Sequence, residues 1–481
     1  MEGIIKMGKK KNVIFLMSDQ MSSHVMDDDY IMPNLYKLKD DGVYSDRCYA
    51  SNPICSPSRA SLMTGMLPHN HGMVDVTHAV PSYRAEYDYN LDTFSNVLHD
   101  NGYKTAYYGK WHVERKHNLD YFGYDEFITE RNIPSTNLTA VSKTILSNPG
   151  SGFNDKVIGG VYAEGKEASE EYYIYSKAID FIERNKENPF FVFLSTYAPH
   201  DPYTVPKEIY DMYEGRDLNL PESFNDTLKD KPNIYKRLQS SISSLTEEDF
   251  LEIRRYYHSY CTLVDTQIGR MVEYLKKENL YEDTMIVVLS DHGDYQGAHR
   301  LIAKGVPAFE EAYRIPLVWK MPDGVNAGYL NHDHMSITDI GSTVLDLLEL
   351  PALRNDIDGK ARTDSLMGEG KDEAVIAENF GQRFGYAQRV LWKGNLKYVF
   401  NTFDYDEFYD LDADPNELHN LIDNPEYEDK VKDLALEMQK IIAETGDMTM
   451  NETQYFMHRI CPVGPVKSNK ATETGLYNKQ F

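Results

Sequence analysis

The sequence predicts an α/β fold: a large mixed, mostly parallel sheet sandwiched by helices, then a smaller C-terminal α+β subdomain carrying an antiparallel sheet and a helix. Three observations point there. Four short apolar runs, at residues 13–17, 105–108, 190–194 and 285–289, have no polar alternation and stop abruptly at polar residues, the pattern of strands covered on both faces. A long stripe of apolar residues at helical spacing lies between the third and fourth runs. Beyond Pro351 the character changes to short strand-like runs spaced as in an antiparallel meander.

Taken in order, residues 13–17 deliver Asp19 and Gln20 to the carboxyl end of a strand, where open α/β sheets bind ligands. Residues 33–38 read as the first helix, and residues 42–49 return as a strand. The next stretch is Asn52-Pro53-Ile54-Cys55-Ser56-Pro57-Ser58-Arg59-Ala60-Ser61-Leu62-Met63-Thr64-Gly65. Pro57 fits the first turn of a helix, where a missing N–H costs nothing. Cys55 then sits at or just before a helix N-terminus, whose N–H groups and dipole favour negative charge. Arg59, one turn along, shares that face and has a planar fork suited to an oxyanion. A nucleophile, an anion-friendly helix start and an arginine suggest a site for a sulfate or phosphate ester.

The second run leads directly into Gly109-Lys110-Trp111-His112, and the third passes through Tyr197-Ala198-Pro199 to His200-Asp201-Pro202-Tyr203. Residues 133–160 and 214–245 show no firm period and read as exposed insertions, of a length that often edges an active site. The long helix begins near Thr246, whose hydroxyl caps it with Asp249 at the third position. Phe250, Ile253, Tyr257, Cys261, Val264, Ile268, Met271 and Leu275 form its buried stripe, which makes Cys261 a packing residue. The fourth run ends in Ser290-Asp291-His292-Gly293, and a helix follows over 337–349. Residues 356–373 read as a junction, dividing the chain into a catalytic unit, 1–365, and a C-terminal unit, 366–481. In the latter, strands are expected at 374–378, 387–392, 396–400 and 407–411, and a closing helix at 424–445.

Composition excludes several classes. The 481 residues carry 50 Lys and Arg against 76 Asp and Glu, a net charge of −26, which argues against nucleic acid and anionic membranes as partners. A small anionic substrate is easier to admit than a long polyanion. Cys48, Cys55, Cys261 and Cys461 are too few and too scattered for a disulfide framework. Lys6, Lys9, Lys10 and Lys11 form a basic start, but the apolar run after them is too short for a secretory signal. No stretch approaches a membrane span, and a cytoplasmic protein is expected.

Asp19, Gln20, Asp291 and His292 offer oxygen and nitrogen ligands suited to a hard divalent cation. Cys55-x-Pro57-Ser58-Arg59-x-x-x-x-Thr64-Gly65 resembles the signature of the type I, formylglycine-dependent sulfatases of the alkaline-phosphatase-like superfamily. The resemblance runs from about Asn12 to Leu421. It implies that a maturation enzyme oxidises Cys55 to formylglycine, whose hydrate is the nucleophile and helps complete a metal shell. Gly109-Lys110-Trp111-His112 is similar to a family element whose lysine anchors the hydrated aldehyde and whose histidine later removes a proton. Ala198-Pro199-His200-x-Pro202-Tyr203 resembles one whose histidine contacts the ester oxygen. Gly297-x-His299-Arg300-Leu301-x-x-Lys304 resembles one whose lysine binds sulfate and helps protonate the departing alcohol. Arg59 is expected to hold sulfate oxygens.

The family's usual metal set is three Asp and one Asn, so Gln20 and His292 are departures. Calcium is the first expectation, with magnesium or manganese open. Tyr409-Asp410-Leu411-x-x-Asp414-Pro415-x-Glu417-x-x-Asn420-Leu421 resembles a structural element of the family and receives no catalytic role. The resemblance implies hydrolysis of a sulfate monoester of a small carbohydrate or aryl alcohol. Two other readings stand beside it: a phosphonate monoester hydrolase or phosphodiesterase of the same superfamily, and a silent binding protein in which Cys55 stays a thiol. His69, His71 and His78, just past the signature, carry no assigned chemistry.

Overall fold

A run of apolar residues with no polar alternation has no face to give to water, and each of the four runs becomes an inner strand of one sheet. The computed structural model describes residues 10–77, 87–146, 156–382 and 385–451. Its main sheet contains β1 (Asn12–Ser18), β2 (Val43–Ser45), β3 (Lys104–Gly109), β4 (Glu126–Thr129), β5 (Phe190–Ser195), β6 (Thr284–Ser290), β7 (Leu317–Lys320) and β8 (Tyr329–Asn331). Their spatial order is β8-β2-β7-β6-β1-β5-β3-β4. Only β7 runs against its neighbours; the other adjacent pairs are parallel.

The pleat sends alternate residues to opposite cores. Ile14 and Leu16 of β1, Val192 and Leu194 of β5, and Ile286 and Val288 of β6 pack with the stripe of the long helix Glu247–Lys277. Cys261 is on that stripe and fully buried. Val13, Phe15, Met17, Phe193 and Val287 face the other way, onto helices Cys55–Thr64 and Ile340–Leu347. There Phe15 stacks on Phe193 with centroids 5.1 Å apart, and Phe193 stacks on Tyr107 at 5.0 Å. Thr246 and Asp249 form the expected reciprocal cap.

Three expectations need correction. Residues 42–49 form two short strands rather than one, because the chain leaves the main sheet after Ser45 and Cys48–Tyr49 pairs instead with Arg314–Ile315 and Met335–Ser336. Residues 133–160 are not patternless: Ala140–Leu146 and Lys156–Tyr162 pair as antiparallel strands, and the second pairs with Tyr203–Pro206. Its alternation is hidden because Gly159 stands where the Tyr256 ring packs; a Cβ there would come within 2.9 Å of that ring. Residues 214–245 contain a helical turn, Glu222–Asn225, and a helix, Asn233–Ser241, whose fully buried side chain is Tyr235.

The small sheet comprises Val375–Asn379, Gln388–Lys393, Leu396–Asn401 and Glu407–Asp410, antiparallel in sequential order. Ile376, Leu391, Tyr398 and Phe408 on one face cover Leu434 and Met438 of helix Glu428–Glu444. Val375, Val390, Trp392 and Val399 on the other pack on Tyr49, Phe309 and Tyr313. Glu417 fastens this second face: it accepts from Lys397 Nζ at 2.7 Å and from the Glu310 amide at 2.8 Å.

A second fastening lies at His69. Its Nδ1 is 2.5 Å from Glu378 Oε1 and its Nε2 is 3.1 Å from the Thr445 carbonyl, so both ring nitrogens face acceptors and both carry protons. Burial alone would lower its pKa, but the Glu378 carboxylate outweighs that and holds it at about 9. Arg389 neutralises the remaining acid, donating to Asp447 Oδ2 at 2.8 and 2.7 Å. A pKa raised on folding stabilises fully below the unfolded value of about 6.5, and that contribution is lost as pH rises through about 9. The difference corresponds to roughly 3 kcal/mol. Denaturant melts should show wild type losing up to that much between the two pH values and His69→Gln losing much less; equal losses would refute the clasp.

Candidate active site

Parallel strands in register finish level with one another. Ser18 pairs with Ser290, Met17 with Ser195, and Ser195 with Gly109. The residues that follow emerge side by side: Asp19 and Gln20, Asp291 and His292, Lys110 to His112, and the loop to His200. Gly109 is required for this closeness, because its φ is +111° and a Cβ would lie 1.9 Å from the Ser195 carbonyl oxygen. Against these ends stands the N-terminus of helix Cys55–Thr64, with Cys55 as its first residue and Pro57 in the first turn. Gly65 ends it in the left-handed conformation, at φ +71°.

Arg59 is fully buried at the centre. Its Nε donates to Asp291 Oδ2 at 2.7 Å and its Nη2 to Asp19 Oδ2 at 3.3 Å. Its Nη1 donates to the Lys110 carbonyl at 2.6 Å and to Ser195 Oγ at 2.8 Å. The guanidinium therefore ties the two acidic strand ends together and fixes the lysine-bearing turn. Ser58 adds a bond from its hydroxyl to the Asp291 carbonyl at 2.6 Å.

Cys55 Sγ lies 3.1 Å from His292 Nε2 and 3.6 Å from Asp19 Oδ1, and it hydrogen-bonds with His112. One ligand atom each from Asp19, Cys55, Asp291 and His292 fall within 4.8 Å of one another, all buried. Two carboxylates, an imidazole and residue 55 form a donor set that fits a divalent cation. The bond between His292 Nδ1 and the Gly293 carbonyl, at 3.0 Å, leaves Nε2 facing the cluster. Gln20 is placed differently. Its Nε2 donates to Asp294 Oδ2 at 2.5 Å and its Oε1 accepts from Lys304 Nζ, so both amide atoms are engaged within the protein. His69, Glu378 and Asp447 also approach one another, but the protonated His69 and Arg389 already balance the two acids.

The basic side chains complete the ring. Lys110 Nζ pairs with Asp19 Oδ2 and lies 5.0 Å from the centroid of the Tyr197 ring. Lys304 Nζ is 2.7 Å from His200 Nε2, and His200 Nδ1 is 2.6 Å from the Asp201 carbonyl. A carbonyl only accepts, so His200 carries its proton on Nδ1 and takes a hydrogen bond from Lys304 on Nε2. Lys304 rides on an irregular loop in which Gln296, His299, Arg300 and Ala303 all have positive φ, the strained backbone that accumulates at functional sites. Segment 214–245 braces that loop: Asp226 meets His299 Nδ1 at 2.7 Å, and Gln239 donates to the His299 carbonyl at 2.9 Å.

Electrostatics follow from this geometry. Burial pushes the Cys55 thiol up, but Lys110, Lys304, His292 and the His112 hydrogen bond outweigh it and bring it well below the usual thiol range. Burial likewise opposes charge on Lys110 and Lys304, yet Asp19 and Cys55 raise both. Burial is the leading cause that lowers His112, which keeps the ring neutral. A chain of net charge −26 thus concentrates cations around residue 55.

Every site residue expected from sequence converges here. Ser195, Tyr197 and Asp294 were not expected. Ser195 ends an apolar run and Asp294 lies three residues past Asp291, positions that a stricter reading of strand ends would have included. His71 is a buried packing histidine, Nε2 3.0 Å from Ser61 Oγ and its pKa lowered to about 3, chiefly by burial; His78 lies outside the described residues.

Removing one partner of a buried charge cluster costs about 3–5 kcal/mol. Arg59→Gln should lose that much in metal-free unfolding and recover part on addition of a divalent cation, which the two carboxylates deprived of the guanidinium then bind. A variant as stable as wild type in chelator would refute this account of Arg59.

Comparison with known proteins places the chain in context. The family model described as Sulfatase matches residues 11–350, and one described as N-sulphoglucosamine sulphohydrolase, C-terminal, matches residues 297–444. The chain is 29% identical over 453 residues to an uncharacterized sulfatase, YidJ, of Escherichia coli (strain K12), covering 90% of this chain and 88% of that protein. It is 29% identical over 441 residues to a choline-sulfatase of Rhizobium meliloti (strain 1021), covering 86% and 83%. Its structure resembles the crystal structure of the phosphonate monoester hydrolase of Agrobacterium radiobacter with a TM-score of 0.75 at 22% identity, covering 91% of this chain and 96% of that one.

Proposed function

The chain belongs to the sulfatase family, and we propose that it cleaves a sulfate monoester of a small carbohydrate or aryl alcohol, using residue 55 as formylglycine and a divalent cation. The observation that carries this reading is the ring around Cys55: Asp19, Asp291 and His292 on one side, Lys110, His112, His200 and Lys304 on the other. Asp19, Asp291, His292 and residue 55 would hold the cation, calcium by our reading. When bound, it neutralises charge on the ester oxygens, and the oxidised residue 55 supplies a hydroxyl nucleophile in place of sulfur.

The chain's own groups divide the remaining work. Lys110 and Lys304 attract the anionic ester. Arg59 keeps Asp19 and Asp291 together beneath it. His112, neutral and hydrogen-bonded to residue 55, is placed to take a proton from it. Lys304 and His200, sharing a hydrogen bond at 2.7 Å, are placed to give a proton to the leaving oxygen. Such a proton donor contributes about 10²–10⁴-fold in rate.

A second reading, hydrolysis of a phosphonate monoester or phosphodiester, draws on Gln20 and His292 beside the two aspartates. Lys110 paired with His112 favours sulfate. We further propose residues 1–365 as the catalytic unit, 366–481 as its C-terminal partner, a formylglycine-generating enzyme as maturation partner, and a cytoplasmic location. No helix among the described residues is long and apolar enough to cross a membrane.

Wild type matured with its cysteine oxidised should hydrolyse 4-nitrophenyl sulfate faster than an aryl phosphonate monoester, and Cys55→Ala should lose about 10³-fold or more. Chelation should silence the enzyme and calcium restore it. Mass spectrometry of the residue-55 peptide should show the aldehyde. Full activity with an unmodified thiol would end the formylglycine reading, and faster phosphonate turnover would favour the second one.

A further inference from the structure

His200 stands on a turn at the edge of the pocket, and its side chain keeps 18% exposure. Burial alone therefore does not fix which edge of the imidazole faces the ester. We propose that Tyr197 is the positioning residue that does so, its ring serving as a wall for the imidazole. The inference deepens the sulfatase reading and rests on it. Residues 196–201 include none of the cation ligands named above, and every contact between Tyr197 and His200 lies inside that turn.

The turn is built on Thr196, the residue after β5. Its N–H donates to the Met17 carbonyl of β1 at 2.9 Å, and its hydroxyl donates to the Ala198 carbonyl at 2.8 Å. The His200 N–H donates to the Tyr197 carbonyl at 3.0 Å, which closes the backbone and brings the two rings together. Their centroids lie 5.0 Å apart at an interplanar angle of 43°, within the range in which aromatic pairs attract. Both side chains also share one acceptor. The Asp201 carbonyl takes the His200 Nδ1–H at 2.6 Å and the Tyr197 hydroxyl at 3.3 Å, one for each lone pair. The Asp201 carboxylate, 3.6 Å from Nδ1, is out of hydrogen-bond reach.

The tyrosine hydroxyl bond is the longer of the two, so the ring carries most of the restraint. It keeps the imidazole against the Asp201 carbonyl, and Nε2 is thereby left for the ester. Without the ring, the partly exposed imidazole can exchange that bond for water and turn away. A displacement of about 1 Å in a reacting group costs on the order of 10²-fold in rate. The loss is greatest for a poor leaving group, which departs only with a proton, and small for 4-nitrophenolate, which departs without one.

Tyr197→Leu and Tyr197→Met remove the ring, and Tyr197→Phe keeps it without the hydroxyl. On the matured enzyme, kcat and KM are measured for 4-nitrophenyl sulfate and for an unactivated alkyl sulfate. The Nδ1–H signal of His200 is followed with ¹⁵N-labelled histidine and assigned by its loss in His200→Asn. The two ringless variants should lose about 10²-fold in kcat on the alkyl ester and only a few-fold on the aryl ester, with KM little changed. Their His200 signal should shift as the Nδ1 bond loosens. Tyr197→Phe should keep the wild-type signal and stay within a few-fold on both esters. Equal losses on the two esters, a rise in KM in place of the fall in kcat, or an unmoved signal would each overturn the proposal. So would a Tyr197→Phe enzyme as impaired as the ringless pair. Were wild type inert toward both sulfates, the sulfatase reading would fail, and the His200 signal in the three variants would still decide the part played by Tyr197.

Discussion

The site depends on one buried guanidinium. Asp19 and Asp291 emerge from adjacent parallel strands with their carboxyl groups pointing to the same place, and two such charges in a low-dielectric interior repel strongly. Arg59 lies between them with no solvent exposure and donates to both. Because it also binds the Lys110 carbonyl and Ser195 Oγ, four strand ends and the signature helix are locked through one side chain. A lysine, lacking the planar fork, could not reach all of them.

The framework that makes this possible is the register of the parallel strands. Aligned ends deliver first the acids and then the basic residues at one level, while the two hydrophobic cores behind them hold the strands rigid. Lys110 and the acids follow their strands at once and inherit that rigidity. His200 and Lys304 do not; they stand on long excursions and need separate bracing. The antiparallel pair Ala140–Leu146 and Lys156–Tyr162 extends the strand Tyr203–Pro206 just past His200, and segment 214–245 grips the His299 turn before Lys304. The regions of weakest sequence pattern are therefore the ones that brace the side of the site carrying His200 and Lys304.

The site is divided in charge as well as in support. Acids and residue 55 gather on one side, the lysines with His112 and His200 on the other, and Gln20 bridges them without adding charge. Burial raises the cost of every unpaired ion here, so each lysine is given a partner, Asp19 for Lys110 and the Gln20 and His200 acceptors for Lys304. This balance lets an acidic chain present a locally cationic pocket to a small anion.

Much of this was legible in sequence. Continuous apolar runs mark doubly covered strands, Pro57 and Gly65 bracket the signature helix, and the Thr246 cap and its stripe locate the long helix, because these are local rules of sterics and period. The signature and its companion elements named the residues that gather around Cys55, since each proposed chemistry needs a specific side chain at a specific step along the chain. Helix Glu170–Asn185 also has its buried residues, Ile174, Tyr175, Ala178, Phe181 and Ile182, at helical spacing, although it was not among the expected elements. What tertiary structure alone decided is which atoms meet. Arg59 turned toward two carboxylates, Gln20 toward Asp294 and Lys304, and Gly159 under Tyr256 are outcomes of packing between segments tens to hundreds of residues apart. Local propensity carries no information about such partners, and a side chain's chemistry leaves its orientation open until the neighbours that satisfy it are in place.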